Sequence, residues 1–461
     1  MSAVLEAIGN DVLEEILEVT SDVDRYRAFE EHGRSCDWCR EPVRLRRIDL
    51  QVDRVTGEVI GGVEREPYFK ACGTRRVTRC PACAERYRGD ARQLVGAGLR
   101  GGKGVPESVL SHPAVFVTLT APSFGPVHRM HRAGSRRVCR SSAPKRCPHG
   151  LPLQCKKRHG RDDVCVGEPL CPNCYDYERA VLWNALAPEL WRRLTIYVRR
   201  ELGYRLRMSP GEARTSFRVS FAKVVEYQSR GSVHLHAVFR IDVLTSDDRL
   251  TELDSIMFGK LISSVARRIA VPCPEAVGGT ARFGEQIDVR PLPESDERTR
   301  RRIAGYLAKY ATKSSDADGL LDRKVKSLRD LRRRGLSPHL HRMAASSWGL
   351  EVRSGCRDLG LRRSTHALGF RGHWLTKSRA WSTTFAALRA ERMEWKARQV
   401  DDALEGGTSH DDVMLIRSWS YFNHGWESQG EGELAAWRQR SVAKARELHR
   451  EALEASLKGR I

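Results

Sequence analysis

The chain has 461 residues and carries 80 lysine and arginine residues against 58 aspartate and glutamate residues, a formal net charge of +22. This length is enough for roughly two to four domains with a substantial core. The charge predicts a polyanionic partner, and nucleic acid is favoured over a membrane because no long apolar run offers a membrane span. Residues 1–20 are amphipathic and acidic, without an export signal, so we expect a cytoplasmic location.

The amino-terminal part combines helices with a pair of cysteine knuckles. Residues 3–31 have the apolar spacing of one or two short helices. Cys36-Asp-Trp-Cys39 and Cys80-Pro-Ala-Cys83 follow, and two Cys-x-x-Cys knuckles are the usual ligand set of a tetrahedral structural zinc site. Cys72 is a fifth candidate that could replace one of the four. The residues between the knuckles are long enough to form a small sheet of their own.

The segment 128–175 has the composition of a metal-held insertion. It follows a helix over 86–100, a glycine-rich linker and a clear strand at 114–120, and it has very little apolar content. Such a segment cannot bury a core, so we expect metal to hold it together. Cys171-Pro-Asn-Cys174 is one knuckle of a second zinc site. Its remaining ligands stay open among three candidates: Cys147, Cys155 and Cys165.

A β-hairpin that carries two histidines lies near the middle of the chain. Residues 217–227 and 233–241 alternate between apolar and polar side chains on either side of a short polar break with one glycine. If the loop is 229–231, Glu226 lies opposite His234, and both share a face with His236. This face predicts a metal site, but a slip of one residue would move Glu226 to the other face. The alternative is two polar histidines on a wet sheet face.

A basic helix over 300–313 carries a pair of tyrosines. It follows two predicted helices, at 177–206 and 250–269, and a short strand at 286–290. Tyr306 and Tyr310 are one helical turn apart on the same face, and Lys309 and Lys313 stand together on an adjoining face. The alternative is that the tyrosines continue the apolar position of Ile303 into the core.

The remainder of the chain is basic. We interpret the residues after 313 as a basic linker region, with glycines, aromatics and cations interleaved over 368–379, a composition compatible with backbone contacts and base stacking. Two polar helices are predicted at about 381–404 and 433–458.

Together these features point to phosphodiester chemistry. A divalent ion on the histidine face would polarise a phosphodiester, and a tyrosine oxygen would attack the phosphorus. A phenol has an ordinary pKa of about 10, so it needs a nearby metal, a general base or a cation such as Lys309 or Lys313. The product would be a phosphotyrosyl link to one DNA end and a free hydroxyl at the other. A second tyrosine could attack while the first holds its strand.

Several motifs resemble those of a known family. Val233-His-Leu-His-Ala-Val238 is similar to the His-hydrophobe-His motif of HUH endonucleases. The segment 306–313 resembles the two-tyrosine motif of rolling-circle replication initiators, and 116–120 resembles their first motif. The cysteine motifs and Gly369-Phe-Arg-Gly-His-Trp-Leu-Thr-Lys-Ser378 look like the initiators of actinobacterial plasmids and integrative conjugative elements.

The resemblance implies a fold, an activity and partners. It implies an antiparallel RRM-like palm sheet backed by helices, with His234 and His236 as metal ligands and Tyr306 and Tyr310 as nucleophiles. The third ligand varies within the family, and Glu226 is expected in that role from the hairpin register alone. Origin DNA would be nicked with attachment to the 5′ phosphate, and the freed 3′ hydroxyl would prime a DNA polymerase. A host helicase would unwind the duplex, because the chain has no Walker motif. Hard oxygen ligands and phosphate favour Mg²⁺ or Mn²⁺.

We therefore predict an α+β protein with zinc modules, in three parts. These are an N-terminal helical and zinc-ribbon-like module at 1–105, an HUH nuclease domain at 106–315 with a Cys-rich insertion at about 128–175, and a basic, mainly helical region at 316–461. One or two structural zinc ions are expected. The alternatives are a conjugative relaxase with the same chemistry, or a non-enzymatic zinc-ribbon regulator that binds DNA.

Overall fold

A computed structural model describes residues 9–131, 138–140, 146–160, 163–313, 324–401 and 413–458. The helices within these ranges are α1 (Asn10–Ser21), α2 (Val23–Ser35), α3 (Pro81–Arg100), α4 (Tyr177–Arg205), α5 (Pro210–Ser216), α6 (Ser255–Arg268), α7 (Glu297–Lys313), α8 (Leu328–Arg332), α9 (Pro338–Leu350), α10 (Phe385–Asp401) and α11 (Gln429–Lys458). The strands are β1 (Val43–Asp53), β2 (Val59–Lys70), β3 (Ala114–Thr120), β4 (Phe217–Tyr227), β5 (Val233–Val243), β6 (Ala270–Pro272), β7 (Thr280–Arg282), β8 (Ile287–Pro291), β9 (Leu375–Lys377) and β10 (Val413–His424). None of the helices in these ranges is long and apolar enough to cross a membrane.

The first of two compact units comprises Met1–Gly89 and Ala386–Ile461. It holds a three-stranded antiparallel sheet in the order β10-β1-β2, so the small sheet predicted between the cysteine knuckles gains a third strand from the far end of the chain. Its core is aromatic: the ring of Phe29 lies 5.2 Å from that of Trp426, and the ring of Phe69 lies 5.4 Å from that of Trp426. Buried cysteines complete this core.

The second unit, Asp90–Phe385, is built on a five-stranded antiparallel sheet in the order β8-β3-β5-β4-β9. The hairpin predicted from the sequence is β4 and β5, and β3 pairs with the other side of β5. Helices α4 and α6 pack on one face of the sheet. The mixture of helices and antiparallel sheets confirms the predicted α+β class.

Alternation along β5 separates a core face from a polar face. Val233, Leu235, Ala237, Phe239 and Ile241 are buried in the main hydrophobic core, as their period of two predicts. Each of them pairs with an apolar or aliphatic-stemmed neighbour on β3 or β4 that points the same way. The histidines between them therefore project from the opposite face of the sheet.

The turn of this hairpin is fixed by a buried amide from α4. Asn184 is fully buried; its Nδ2 donates to the carbonyls of Gly231 and Leu368 at 2.9 and 3.0 Å, and its Oδ1 accepts from the Val233 amide at 2.9 Å. Gly231 has φ +74°, and a Cβ there would lie 2.6 Å from the Met343 sulfur. Only glycine meets both the left-handed backbone and the close packing. The register of the hairpin is thus set by tertiary contacts as well as by alternation.

The interpretation of the region after 313 as a basic linker is corrected over its described residues. Helix α9 buries Leu340, Met343 and Ala344 in the main core. The aromatics that we interpreted as stacking platforms for bases are packing groups: Phe370 is buried, and the ring of Trp374 lies 5.4 Å from that of Tyr227. Helix α9 has only a few large aliphatic side chains among histidines, serines and alanines, so it does not stand out in the sequence as a core helix.

One lysine interrupts the apolar face of β4 and lies in the core. Lys223 is 3% exposed, and its Nζ lies 5.3 Å from the centre of the Trp191 ring. Burial lowers the pKa of this amine to about 8. Between about pH 8 and 10 the unfolded chain therefore binds the proton that the folded chain releases, so this group makes stability rise with pH across that window.

We expect Lys223→Met to raise the free energy of unfolding at pH 7 by about 2 kcal/mol, because it removes the cost of burying a charge. The rise in stability between about pH 8 and 10 should disappear in the same variant. Denaturant unfolding of the whole chain at several pH values measures both effects. Lys260→Met, which changes an exposed lysine on α6, is the matched control. Equal stabilities of the two variants at every pH would contradict this account.

Candidate active site and metal centres

The two histidines of β5 are held in place by threonines of β3. Thr118 pairs with His236 and Thr120 pairs with His234 across the sheet. The Oγ1 of each threonine lies 3.2 Å from the Nδ1 of its histidine. A hydrogen bond at one ring nitrogen fixes the orientation of an imidazole and assigns the other nitrogen as the one free to bind a metal. Sequence analysis gave these threonines no role, although their alternation on the first motif puts them on the histidine face.

Glu226 occupies the predicted register. It pairs with His234 across the hairpin, and the Gln228 amide donates to the Ser232 carbonyl at 2.9 Å where the loop closes. The Oε2 of Glu226 lies 3.3 Å from the Nε2 of His236. The trio of Glu226, His234 and His236 is not among the described groups whose ligand atoms all lie within 4.8 Å of one another. The carboxylate thus reaches one histidine of the pair, and its role as third ligand stays a prediction.

The electrostatics of the histidine pair suit metal binding. The rings of His234 and His236 lie 4.6 Å apart. Burial, together with the smaller effects of the charges of His236 and Arg230, lowers the pKa of His234 to about 3. His234 is therefore neutral at pH 7, the form in which an imidazole binds a metal. Two imidazoles and one carboxylate are nitrogen and oxygen donors of the kind that bind divalent metal ions.

Both tyrosines of α7 lie beside one of the two histidines, His236. Helix α7 packs against β4, and its residues Ala304, Leu307, Ala308 and Ala311 are buried. The ring of His236 lies 5.3 Å from that of Tyr306 and 5.1 Å from that of Tyr310, and the two tyrosine rings are 4.5 Å apart. Tyr306 is 38% exposed. Tyr306 is thus open to solvent and Tyr310 is half-buried, which disfavours the alternative that the tyrosines are core residues.

Tyr306 is held in its protonated form. Burial, a hydrogen bond with Tyr310 and the negative charge of Glu226 raise the pKa of this phenol above its ordinary value. The positive charge of Arg290, on β8, acts in the opposite direction. Arg290 is exposed and pairs with Phe116 of β3, whose ring meets that of Tyr306 edge-on at 5.7 Å. Sequence analysis gave Arg290 no role, because only the sheet pairing brings it to the tyrosines.

The structure describes the side chain of only one of the two lysines of α7 that we predicted near the tyrosines. Lys309 is exposed on the helix, next in sequence to Tyr310. Lys313 is the last residue of α7, and its side chain lies outside the described part of the chain. Their predicted contribution as cations near the tyrosines stays a prediction.

Four cysteines in the first unit form a compact cluster. Cys39, Cys72, Cys80 and Cys83 have sulfurs within 4.8 Å of one another. The sulfur of Cys83 lies 3.6 Å from those of Cys39 and Cys72, and the sulfurs of Cys39 and Cys80 are 3.8 Å apart. Zn–S bonds of about 2.3 Å in a tetrahedron put sulfurs roughly 3.8 Å apart, so this cluster fits a structural zinc ion.

Cys36, the remaining member of the two knuckles, stands beside this cluster. It is buried in the same core, with its sulfur 3.7 Å from the Gly33 carbonyl oxygen. Burial raises the pKa of its thiol to about 11. The structure therefore gathers Cys72 in place of Cys36, the exchange that the spacing left open.

We expect Cys72→Ser to lose about one zinc ion per chain, whereas Cys36→Ser keeps it. Serine matches cysteine closely in size, so the two variants differ mainly in whether a ligand sulfur is removed. Elemental analysis of the purified, dialysed proteins measures the difference. Zinc loss from Cys36→Ser alone would show that the knuckles bind in the other combination.

A second cluster, in the insertion, completes the knuckle Cys171–Cys174. Its members are Cys147, His149, Cys171 and Cys174, with ligand atoms within 4.8 Å of one another. The Nδ1 of His149 lies 3.2 Å from the sulfur of Cys174 and 3.7 Å from that of Cys171. Of the three competing cysteines, Cys147 joins this cluster. His149 was missed, although it lies two residues after a cysteine, a spacing at which both side chains can reach one ion.

Comparison with known proteins supplies the class of protein: residues 25–440 match the model of the RepSA family, described as replication initiator protein, pSAM2. The chain belongs to this family of replication initiators. It is 36% identical to a replication initiator protein of Streptomyces ambofaciens over 463 residues, which cover 96% of each chain. No solved structure matches the chain. The resemblance to replication initiators is thereby confirmed.

Proposed function

We propose that this initiator nicks one strand of origin DNA by tyrosine attack and so starts rolling-circle replication. Membership of a family of replication initiators supports a role at a replication origin. The observation that carries the chemistry is the position of the two phenols: each tyrosine ring lies within 5.3 Å of the ring of His236, on a solvent-accessible face of the sheet. A packing role alone does not require two tyrosines beside a histidine that is itself paired with a second histidine.

The bonds of the reaction balance without a nucleotide cofactor. The phenol oxygen of Tyr306 or Tyr310 forms a bond to the scissile phosphorus, and the bond from phosphorus to the 3′ oxygen breaks. The phenol proton is released, and the leaving 3′ oxygen takes up a proton. The products are a 5′-phosphotyrosyl link and a free 3′ hydroxyl. The phosphotyrosyl bond retains the energy of the broken phosphodiester, so the strand can later be rejoined.

A divalent ion, Mg²⁺ or Mn²⁺, held by His234, His236 and Glu226 would supply Lewis acidity to the phosphate. Thr118 and Thr120 keep the histidine rings in the orientation that presents Nε2. The neutral state of His234 at pH 7 keeps its lone pair available. The hairpin that carries these residues is anchored to α4 where its loop meets β5, through the hydrogen bonds of Asn184 with Gly231 and Val233.

Positive charge beside the tyrosines assists their ionisation and contacts the phosphate. Arg290 is the cation that the described geometry brings to Tyr306, and its guanidinium suits a phosphate oxygen. Lys309 and Lys313 are further cations on α7 for the DNA backbone. The second phenol, hydrogen-bonded to the first, is placed to attack a second phosphate while the first remains linked to its strand.

The partners that this reaction requires are origin DNA, a DNA polymerase and a helicase. The net charge of +22 fits binding of single-stranded origin DNA through its phosphates. The freed 3′ hydroxyl would serve as primer for a host DNA polymerase, and a host helicase would unwind the duplex ahead of it. Replication of an origin plasmid in cells separates this role from that of a conjugative relaxase, which nicks by the same chemistry.

Single-stranded oligonucleotides that tile both strands of the replication origin, incubated with the protein and Mn²⁺, test the proposal. We expect a protein–DNA adduct that survives SDS on one strand only, with a free 3′ hydroxyl on the released fragment. A polymerase that extends the released fragment verifies that hydroxyl. No adduct on any tiled strand would instead favour the non-enzymatic regulator that binds DNA.

A further inference from the structure

A third group of metal-binding side chains lies in the insertion, apart from the two zinc clusters already described. It consists of His128, Cys139, Cys155 and His159, and its ligand atoms lie within 4.8 Å of one another. The Nδ1 of His128 lies 3.1 Å from the Nε2 of His159 and 3.9 Å from the sulfur of Cys139. The sulfur of Cys155 lies 3.2 Å from the same Nε2. Bonds of about 2.0 Å to nitrogen and 2.3 Å to sulfur in a tetrahedron require separations of this size.

We propose that these four side chains bind a structural zinc ion, so that the insertion is held by two zinc ions. Two thiolates and two imidazoles are a closed structural set, without the open position that catalysis needs. His159 is 2% exposed and Cys139 is buried, which suits a structural ion shielded from solvent. The two rings meet edge to face, 5.0 Å apart, with neither stacked on the other.

The surroundings of His159 decide which of its nitrogens binds. Its Nδ1 lies 2.8 Å from the Oδ2 of Asp163, the carboxylate–histidine contact that orients a zinc ligand, and its Nε2 faces His128 and Cys155. The sulfur of Cys165 lies 3.2 Å from Nδ1 and 3.8 Å from Nε2, and it also lies 3.2 Å from the Oδ1 of Asp163. Cys165 groups with His159 and Asp163 and not with His128, Cys139 and Cys155, so we leave it out of the ligand set and assign Asp163 as a positioning residue.

The backbone shows why the insertion needs this ion. In the described part of the insertion, isolated bridges connect its segments, for example Met130 with His159 and Arg140 with Cys155, and no strand or helix longer than a turn is present. Few buried apolar side chains come from this segment. The four ligands lie at or near the paired residues, on both segments of each bridge. One ion would therefore join segments that are otherwise connected here by isolated hydrogen-bonded bridges.

The site also reaches the hairpin of the candidate active site. The Gly167 amide donates to the His128 carbonyl at 2.9 Å. Gly167 has φ +93°, and a Cβ there would lie 2.4 Å from the backbone of Ser229, in the β4–β5 loop. Loss of the ion would therefore free a contact against the loop that sets the register of Glu226 and His234.

Zinc content measured on the full-length, EDTA-washed protein tests the site. The count is taken in His236→Ala protein, so that zinc on the β5 histidines is not included. We expect about three zinc ions per chain, about two after Cys155→Ser, and an unchanged three after Cys165→Ser, the neighbouring thiol that we exclude. A count of two in the His236→Ala protein, or a loss of zinc in Cys165→Ser with none in Cys155→Ser, would overturn the proposal.

A second measurement does not depend on how Cys155→Ser folds. Asp163→Asn retains all four ligands, and we expect its third zinc to be lost at a chelator concentration about 10-fold lower than in the parent protein. Amide hydrogen exchange should then rise in residues 228–232 as that zinc is removed. The assignment would be contradicted if Asp163→Asn released its zinc at the same chelator concentration as the parent protein. It would also be contradicted if hydrogen exchange in residues 228–232 did not change when the zinc was removed. Neither readout depends on nicking.

Discussion

His236→Ala protein should bind origin DNA almost as tightly as the parent protein and should not cleave it. His236 contacts Glu226 and lies beside both tyrosine rings, so its loss removes a metal ligand from the centre of the site. We expect the single-turnover cleavage rate with Mn²⁺ to fall about 10³-fold or more. Affinity comes mostly from neutralised phosphates, so the dissociation constant should change by less than about 3-fold.

The matched control for this substitution is His373→Ala, which removes an exposed histidine elsewhere in the same unit. It should cleave at the parental rate. Binding measured over a range of salt concentrations should give the same steep slope for all three proteins, because none of the changes removes a phosphate-binding cation. Parallel losses of affinity and cleavage in His236→Ala would show that the histidines hold DNA and do not serve the chemistry.

Removal of both phenol hydroxyls should abolish the covalent adduct. We expect Tyr306→Phe/Tyr310→Phe to form SDS-resistant adduct at least about 10³-fold more slowly than the parent protein, because phenylalanine keeps the packing and removes the nucleophile. Gel analysis of labelled oligonucleotide measures the rate. The folded structure should survive, since Tyr306 is 38% exposed and both rings keep their contacts with His236.

The single substitutions carry further information. If one tyrosine cleaves and the other rejoins, one single variant should lose the first adduct, whereas the other should retain it and lose strand transfer to a second oligonucleotide. Tyr204→Phe, at an exposed position on α4, is the control and should retain both steps. Full adduct formation by the double variant would remove the tyrosines from the reaction.

The parts of the site that follow local rules were predictable from the sequence. Alternation over β4 and β5 and one glycine in the loop gave the hairpin and the pairing of Glu226 with His234, which is confirmed. Helical spacing put Tyr306 and Tyr310 on one face. These local patterns do not predict how close the tyrosine helix lies to the sheet, because that distance is set by the packing of α7 on β4.

The parts that depend on distant contacts were not predictable. The spacing of the knuckles favours Cys36 as the fourth zinc ligand. In the structure the thiol of Cys36 is buried beside the cluster, and Cys72, from the segment between the knuckles, takes the fourth position. Strand β10 pairs with β1 from the opposite end of the chain, and no local pattern marks that partner. The threonines of β3 have a role only because that strand is the neighbour of β5.

The most direct test of the central claim is mass spectrometry of the adduct after trypsin and nuclease digestion. Trypsin cleaves after arginine and lysine, so Tyr306 falls in the peptide 303–309 and Tyr310 in the peptide 310–313. We predict a nucleotide joined through its 5′ phosphate to one of these two peptides, and unmodified versions of both when Mn²⁺ is withheld. A nucleotide on any other residue, or cleaved DNA with no covalent link to protein, would contradict the account.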